Sequence, residues 1–172
     1  MSNFNRYIDR VLKSEGGYSA DRNDPGNWTG GHVGLGQLKG TNFGISAASY
    51  PNIDIKMLTR DEAIAIYRRD FWLPTGGDSL PVAVAFSALD GAVNSGVSKS
   101  IMWLQQAAGV ADDGKWGPIT AGAIKAADPN DLLLKYNAYR LLFMTQLSAW
   151  GNYSKGWARR IANNLLYGSE DN

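Results

Sequence analysis

Apolar residues recur at helical spacing through most of this chain, and one long stretch lacks that pattern altogether. Phe4, Tyr7, Ile8, Val11 and Leu12 fall at i, i+3, i+4, i+7 and i+8, on one face of an amphipathic helix. Gly16 and Gly17 stop that helix. Residues 18–46 are rich in Gly, Asn, Asp and Thr and read as loops with a short β-hairpin or small sheet. Helical spacing then returns and holds to the end, so the expectation is a mainly α protein with a small loop and hairpin lobe near its N-terminus.

The later helices are marked by their punctuation. Thr59 and Glu62 form a capping-box pattern that opens a helix running to about Trp72, with Ile64, Tyr67 and Phe71 as its buried stripe. Pro81 starts another, with Val82, Phe86, Leu89 and Val93 inward, and "NSGVS" interrupts it. Ile101 and Leu104 lie on the next, and a short helix is expected near Thr120 to Ala127. After "DPND", Leu132, Tyr136, Tyr139, Phe143 and Leu147 mark a long core helix; Trp157, Ile161 and Leu165 mark the last, with "GSEDN" as a loose tail. No flexible linker isolates residues 101–127, so the chain is expected to be one domain over 1–172.

Composition removes several classes of function. Apolar residues make up 44% of the chain, which argues against disorder. The net charge of +1 is too small to suggest nucleic acid as a partner. There are no cysteines and only one histidine, His32, so thiolate metal sites are excluded, a zinc centre of the usual kind lacks ligands, and no cofactor is implied. The N-terminus lacks the basic head and unbroken apolar run of a signal peptide, and no segment is apolar for long enough to span a bilayer. The expectation is a protein made in the cytoplasm without stable membrane insertion, and monomeric.

The stretch "SEGGYSADRNDPG" is the most informative. Glu15 is expected in the last turn of the first helix, where unpaired carbonyls disfavour a negative charge and raise a carboxyl pKa. A carboxylic acid that keeps its proton near neutral pH can act as a general acid. The glycines after it keep side chains away and let a large substrate approach. Tyr18 offers a flat face and a hydroxyl for sugar packing, and Asp24 could set a second carboxylate across a cleft. Two carboxyl groups flanking a bond are the chemistry of glycoside hydrolysis. The plain reading stands beside it: a double glycine is a common helix C-cap, and "NDPG" is a good turn in any protein. Asp90 and Asn94 share a helix face, with a cleft contact and a structural hydrogen bond as equal alternatives for Asn94. Lys155, Arg159 and Arg160 read as a solvated face before they read as a site for an acidic polymer.

"SEGGYSADRNDPG" followed by "GTNFGISAASYP" resembles the start of the muramidases of glycoside hydrolase family 108, peptidoglycan-degrading endolysins with a lysozyme-like logic. "ALDGAVNSGVSKSIMWLQQAAGVADDGKWGPITAGAI" resembles the remainder, whose second half is like a predicted peptidoglycan-binding region; the resemblance divides the chain into a muramidase part, 1–96, and a helical part, 97–172, integrated with it. It implies Glu15 as the catalytic acid, Asp24 nine positions on, and a threonine that helps hold water. Thr29 is nearer Asp24, but Thr41 in "TNFGIS" matches the family pattern better and is preferred. "GGHVGLGQLKG" between them looks like an inserted hairpin, with His32 a loop residue.

The implied reaction is cleavage of the β-1,4 bond between N-acetylmuramic acid and N-acetylglucosamine, with Tyr18, Trp28 and Asn94 as substrate-binding residues and inversion as the favoured outcome. The implied partner is the glycan strand of bacterial peptidoglycan. The resemblance also implies a phage enzyme kept in the host cytoplasm until a separate holin lets it reach the wall. Two other readings remain at this point. One is a lytic transglycosylase acting on the same bond. The other is a non-catalytic wall-binding protein using Tyr18, Trp28, Trp72 and Trp116 as sugar platforms, with Trp103, Trp150 and Trp157 assigned to the core.

Overall fold

A computed structural model describes residues 3–13 and 17–172 of the chain. Seven α-helices and one two-stranded sheet are present among the described residues. The chain divides into two compact units, Phe4–Arg68 and Arg69–Asn172.

The first unit opens with α1 (Asn3–Lys13). Phe4, Tyr7, Ile8 and Val11 are all buried, as their spacing predicts, and Leu12 is only partly so. Glu15, with Ser14 and Gly16, lies outside the described residues. Loops then lead to β1 (Thr41–Asn42) and β2 (Ile45–Ser46), an antiparallel pair with Thr41 opposite Ser46. The turn between them places both Phe43 and Gly44 at positive φ, the geometry of a tight hairpin. Isolated bridges join Ser19 to Thr41 and Trp28 to Leu38, so the non-helical lobe is a small sheet extended by its loops.

Helix α2 (Arg60–Tyr67) closes this unit, and a π-helical turn, Arg68–Trp72, continues it. The capping box is formed: the Thr59 backbone N–H donates to Glu62 Oε2 at 2.8 Å, and the Glu62 N–H donates back to Thr59 Oγ1 at 3.3 Å. The bonds that Glu62 Oε2 accepts from the Thr59 N–H and the Thr59 hydroxyl hold the carboxyl below its ordinary pKa. The buried stripe is Ala63, Ile66 and Tyr67; Ile64 and Phe71, expected inward, are half-buried. The π turn adds a residue to the period and so rotates Phe71 off the face that simple 3.6-residue counting would bury.

The second unit is built around α3 (Val82–Ser95), which follows Pro81 and is buried continuously from Ala83 to Ala92. It packs against α4 (Val97–Ala108), α6 (Pro129–Thr145) and α7 (Trp150–Asp171), and α5 (Pro118–Ala126) packs on α4. Residues 101–127 therefore share a body with α3, α6 and α7. Asp128 caps α6 by accepting from the N–H groups of Asn130 and Asp131, and Pro129 takes the first helical position.

Two expectations about these helices are corrected. The inner face of α6 is Leu132, Leu133, Tyr136, Asn137, Arg140 and Met144, whereas Tyr139 and Leu147 are exposed. The tail is not loose: α7 continues through Asp171, and Asn172 Nδ2 donates to Asn130 Oδ1 at 2.8 Å. Gly168 makes this possible, because a Cβ there would overlap Leu133 and the Ala83 carbonyl. Its bare backbone lets α7 lie close to α6 and α3.

A charged cluster sits inside this helical unit. Asp90, on the buried length of α3, pairs with Arg140 Nη1 at 2.8 Å and receives hydrogen bonds from Arg160 Nε and Nη2 and from Asn164 Nδ2. Asp90 is 4% exposed and Arg140 0%. Arg160, expected on a solvated face, is half-buried and turned onto Asp90, while Lys155 and Arg159 are exposed. Burial is the largest influence on the Asp90 carboxyl and opposes its ionisation. The charge of Arg140, the bonds and charge of Arg160 and the bond from Asn164 together outweigh it, so the pKa lies below the ordinary aspartate value.

Candidate functional site

The N-terminal unit gathers four of the residues that the sequence picks out. Asp24 precedes a 3₁₀ turn, Pro25–Asn27, and caps it: its Oδ1 accepts from the Gly26 N–H at 2.8 Å. Proline at the first position of the turn removes a donor that would otherwise need a partner. Asp24 is exposed, so the rest of its carboxylate remains open to solvent.

Asn27 ties that turn to the sheet. It is 1% exposed and bonded on every side. Its Nδ2 donates to the Asp21 carbonyl at 3.0 Å, and its Oδ1 accepts the Thr41 hydroxyl at 2.7 Å. Its backbone carbonyl accepts from the N–H groups of both Lys39 and Gly40 at 3.0 Å. Asp24 and Thr41 are 17 positions apart in the chain, yet Asn27, three residues after Asp24, is bonded directly to Thr41. Nothing in "PGNW" marked this asparagine; a polar side chain in a turn sequence ordinarily faces water.

Tyr18 joins the same cluster through its neighbour. The Ser19 N–H donates to the Thr41 carbonyl at 2.9 Å, and the Thr41 N–H donates to the Ser19 carbonyl at 2.8 Å. The Tyr18 ring, 42% exposed, lies against Gly40. Gly40 has φ +87°, and a Cβ there would also meet Tyr18 Cε2 at 2.7 Å. Only glycine satisfies both demands without strain.

Residues 28–38 form a hairpin. The Thr29 N–H donates to the Gln37 carbonyl at 3.0 Å, the Gln37 N–H donates to Thr29 Oγ1 at 2.9 Å, and the Gly30 N–H donates to the Leu35 carbonyl at 3.1 Å. The Thr29 hydroxyl therefore serves the hairpin itself. Trp28 is half-buried at its base, with its indole N–H donated to the Arg22 carbonyl at 3.0 Å. His32 is exposed in the loop.

The remaining candidates lie elsewhere. Asn94 belongs to the second unit, is exposed, and donates from Nδ2 to the Asp90 carbonyl one turn back at 2.9 Å. Trp72 is 1% exposed, with its indole N–H on Asp78 Oδ1 at 2.6 Å, so it offers no sugar platform. Trp116 is half-buried with its ring against Gly76. Trp103 is buried as expected, but Trp150 and Trp157 are half-buried and form a ring cluster with the exposed Tyr153.

The "LQ…DGKWGPIT" stretch is used internally. Gln105 Nε2 donates to Asp113 Oδ1 at 2.8 Å, the Lys115 carbonyl at 3.1 Å and Thr120 Oγ1 at 3.0 Å. Its Oε1 accepts from the Gly114 N–H at 2.9 Å. The recurring glutamine, aspartate, glycine and threonine hold one loop in shape.

A helical body with a small hairpin lobe that presents an open carboxylate belongs to the lysozyme-like class of fold. Residues 8–96 match the family described as Glycosyl hydrolase 108. The chain belongs to that family, and is a glycoside hydrolase for which the family supports peptidoglycan as the polymer. Among solved structures, that of Brucella abortus SagA resembles it with a TM-score of 0.81 at 28% identity, covering 98% of this chain and 94% of the other. No curated protein matches the sequence.

Proposed function

We propose that the protein is an N-acetylmuramidase, hydrolysing the β-1,4 bond between N-acetylmuramic acid and N-acetylglucosamine in peptidoglycan. The observation that carries this reading is the bonded cluster in which Asn27 links the open carboxylate turn of Asp24 to the Thr41 hydroxyl, in a chain of family 108. Glu15 donates a proton to the leaving glycosidic oxygen. Asp24 orients or deprotonates a water, or stabilises the oxocarbenium-like transition state, and Thr41 helps to hold that water. Tyr18 and Trp28 receive sugar on the N-terminal lobe, and Asn94 is the third substrate-binding residue of this reading. Residues 1–172 act as one catalytic domain.

In this reading the protein is a phage endolysin, held in the host cytoplasm until a separate holin opens the way to the wall. Among the described residues no helix is long and apolar enough to cross a membrane.

The test is the product. Digestion of purified peptidoglycan, followed by mass spectrometry, is expected to give reducing N-acetylmuramic acid ends. Anhydro-muramic ends would instead identify a lytic transglycosylase, and binding to sacculi with no loss of turbidity a wall-binding protein. Glu15→Gln is expected to abolish lysis and leave the thermal midpoint near that of the wild type; full activity in that variant overturns the assignment of the acid.

A further inference from the structure

Beside the Thr41 cluster is a pocket of about 400 Å³, lined by Tyr18, Leu38, Lys39, Asn52, Asp54 and Lys56. The reaction proposed above uses only Tyr18 among these. All six belong to the N-terminal unit. The pocket adjoins the cluster by chain continuity at two points: Tyr18 precedes Ser19, which is bonded to Thr41, and Lys39 stands two residues before Thr41.

Its chemistry differs from that of a neutral sugar site. Two ammonium groups, Lys39 and Lys56, face one carboxylate, Asp54, for a formal charge of +1. Lys39 is half-buried and its Nζ donates to the Pro51 carbonyl at 2.7 Å, which fixes the cation in place and leaves two of its three N–H donors. Asp54 is partly occupied, since its Oδ1 accepts from the Met57 N–H at 3.3 Å and closes the turn that contains Lys56. Lys56 is exposed and has no partner among the described residues. A solvated surface lysine is the common meaning of such a residue. Here, however, it shares a concave pocket with a second, immobilised cation, an amide and a tyrosine ring held against Gly40.

We propose that this pocket is a specificity subsite that binds the carboxylate groups of peptidoglycan stem peptides, with Lys56 and Lys39 as the cations and Tyr18 as the wall against which the amino sugar packs. The glycan backbone of peptidoglycan is an uncharged amino-sugar chain, and its anionic groups are carried by the peptides attached to muramic acid. A cationic pocket next to an aromatic face therefore separates this polymer from neutral amino-sugar chains. The inference rests on the muramidase reading and adds to it the part of the substrate that sets affinity.

The experiment compares two substrates: purified sacculi, and the same sacculi with their carboxyl groups converted to amides by carbodiimide and ammonia. Initial rates are measured against concentration for the wild type and for Lys56→Gln. The wild type is expected to show an apparent KM higher by roughly two- to five-fold on the amidated form, the range of a partly exposed ion pair. Lys56→Gln is expected to show that raised KM on native sacculi, to be nearly indifferent to amidation, and to keep its kcat. Equal KM values for both proteins on both substrates overturn the proposal, as do losses from the substitution and from amidation that multiply independently; in either case wild-type hydrolysis leaves the muramidase reading standing. If the wild type cleaves neither substrate, the muramidase reading falls and this proposal with it. Because Lys56 is exposed, Lys56→Gln is expected to match the wild-type thermal midpoint.

Discussion

Thr41 donates its hydroxyl hydrogen to Oδ1 of Asn27, 2.7 Å away. The direction is set by the other end of the amide, because Nδ2 of Asn27 donates to the Asp21 carbonyl at 3.0 Å and only the oxygen is left to accept. The hydroxyl of Thr41 is therefore an acceptor toward anything else it meets. If it holds the attacking water, it accepts one of that water's hydrogens and leaves the other for Asp24.

Thr41→Val keeps the shape and removes the hydroxyl. It is expected to lower kcat by about ten- to a hundred-fold with little change in KM. It also leaves Asn27 Oδ1 unpaired in a buried position, at a cost of about 1–3 kcal/mol in stability. Thr41→Ser is expected to retain most of both. Thr29→Val, by contrast, loses only the bond from the Gln37 N–H, and its kcat is expected to stay within about twofold of wild type. Steady-state kinetics on sacculi and urea unfolding read both quantities.

Asn27→Ala removes the acceptor for Thr41 and the donor to Asp21 together. A loss of about 2–4 kcal/mol is expected, with the Asp24 turn released from the sheet. Amide hydrogen exchange provides the local readout: the Gly26 and Thr41 N–H groups should lose protection more than those of α6.

Asp90→Asn leaves Arg140 buried beside a neutral amide. A loss of about 3–5 kcal/mol is expected, the range for breaking a buried ion pair on one side. The wild type carries a matching pH dependence. The folded-state pKa of Asp90 is depressed, so the unfolded chain binds the proton more readily. The stability due to this group is fully present above the unfolded carboxylate pKa of about 3.9 and is lost as pH falls through the lower folded value. Urea unfolding between about pH 2 and 6 should show that slope in the wild type and a reduced one in Asp90→Asn.

Gln105→Leu is close in volume but leaves the Gly114 N–H without its acceptor and takes from Asp113 and Thr120 the amide hydrogens that Gln105 donates to them. A loss of about 2–4 kcal/mol is expected. If the loop from Asp113 to Lys115 has only this internal role, lytic activity per folded molecule should be unchanged at a temperature well below the midpoint. Asp113 gives a second handle: the hydrogen bond from Gln105, then that from the Lys115 N–H, holds its carboxyl below the ordinary value, so the loop is expected to loosen only in acid.

The local rules were legible in the chain. The stripe of α1, the Thr59–Glu62 capping box, Pro81 at the head of α3 and Asp128–Pro129 at the head of α6 each depend on residues within a turn or two of one another. Short-range sterics and hydrogen bonding decide them, and a linear reading captures both. The candidate carboxylate turn and the threonine hairpin were legible as motifs for the same reason.

What the sequence determined by itself was the mainly helical class, the position of the non-helical lobe, and the family signature around residues 15–46. The tertiary structure decided which distant groups meet. Asp90 was legible only as sharing a helix face with Asn94, and nothing in the spacing showed that it would meet cations 50 and 70 positions away. Asn27 looked like any turn residue until Thr41 came to lie against it. Gln105 and the "DGKWGPIT" loop looked like a surface motif until burial turned their polar groups toward one another. Buried polar groups must find partners or lose the free energy of hydration. The partner is fixed by where the backbone passes in space, which no spacing along the chain specifies.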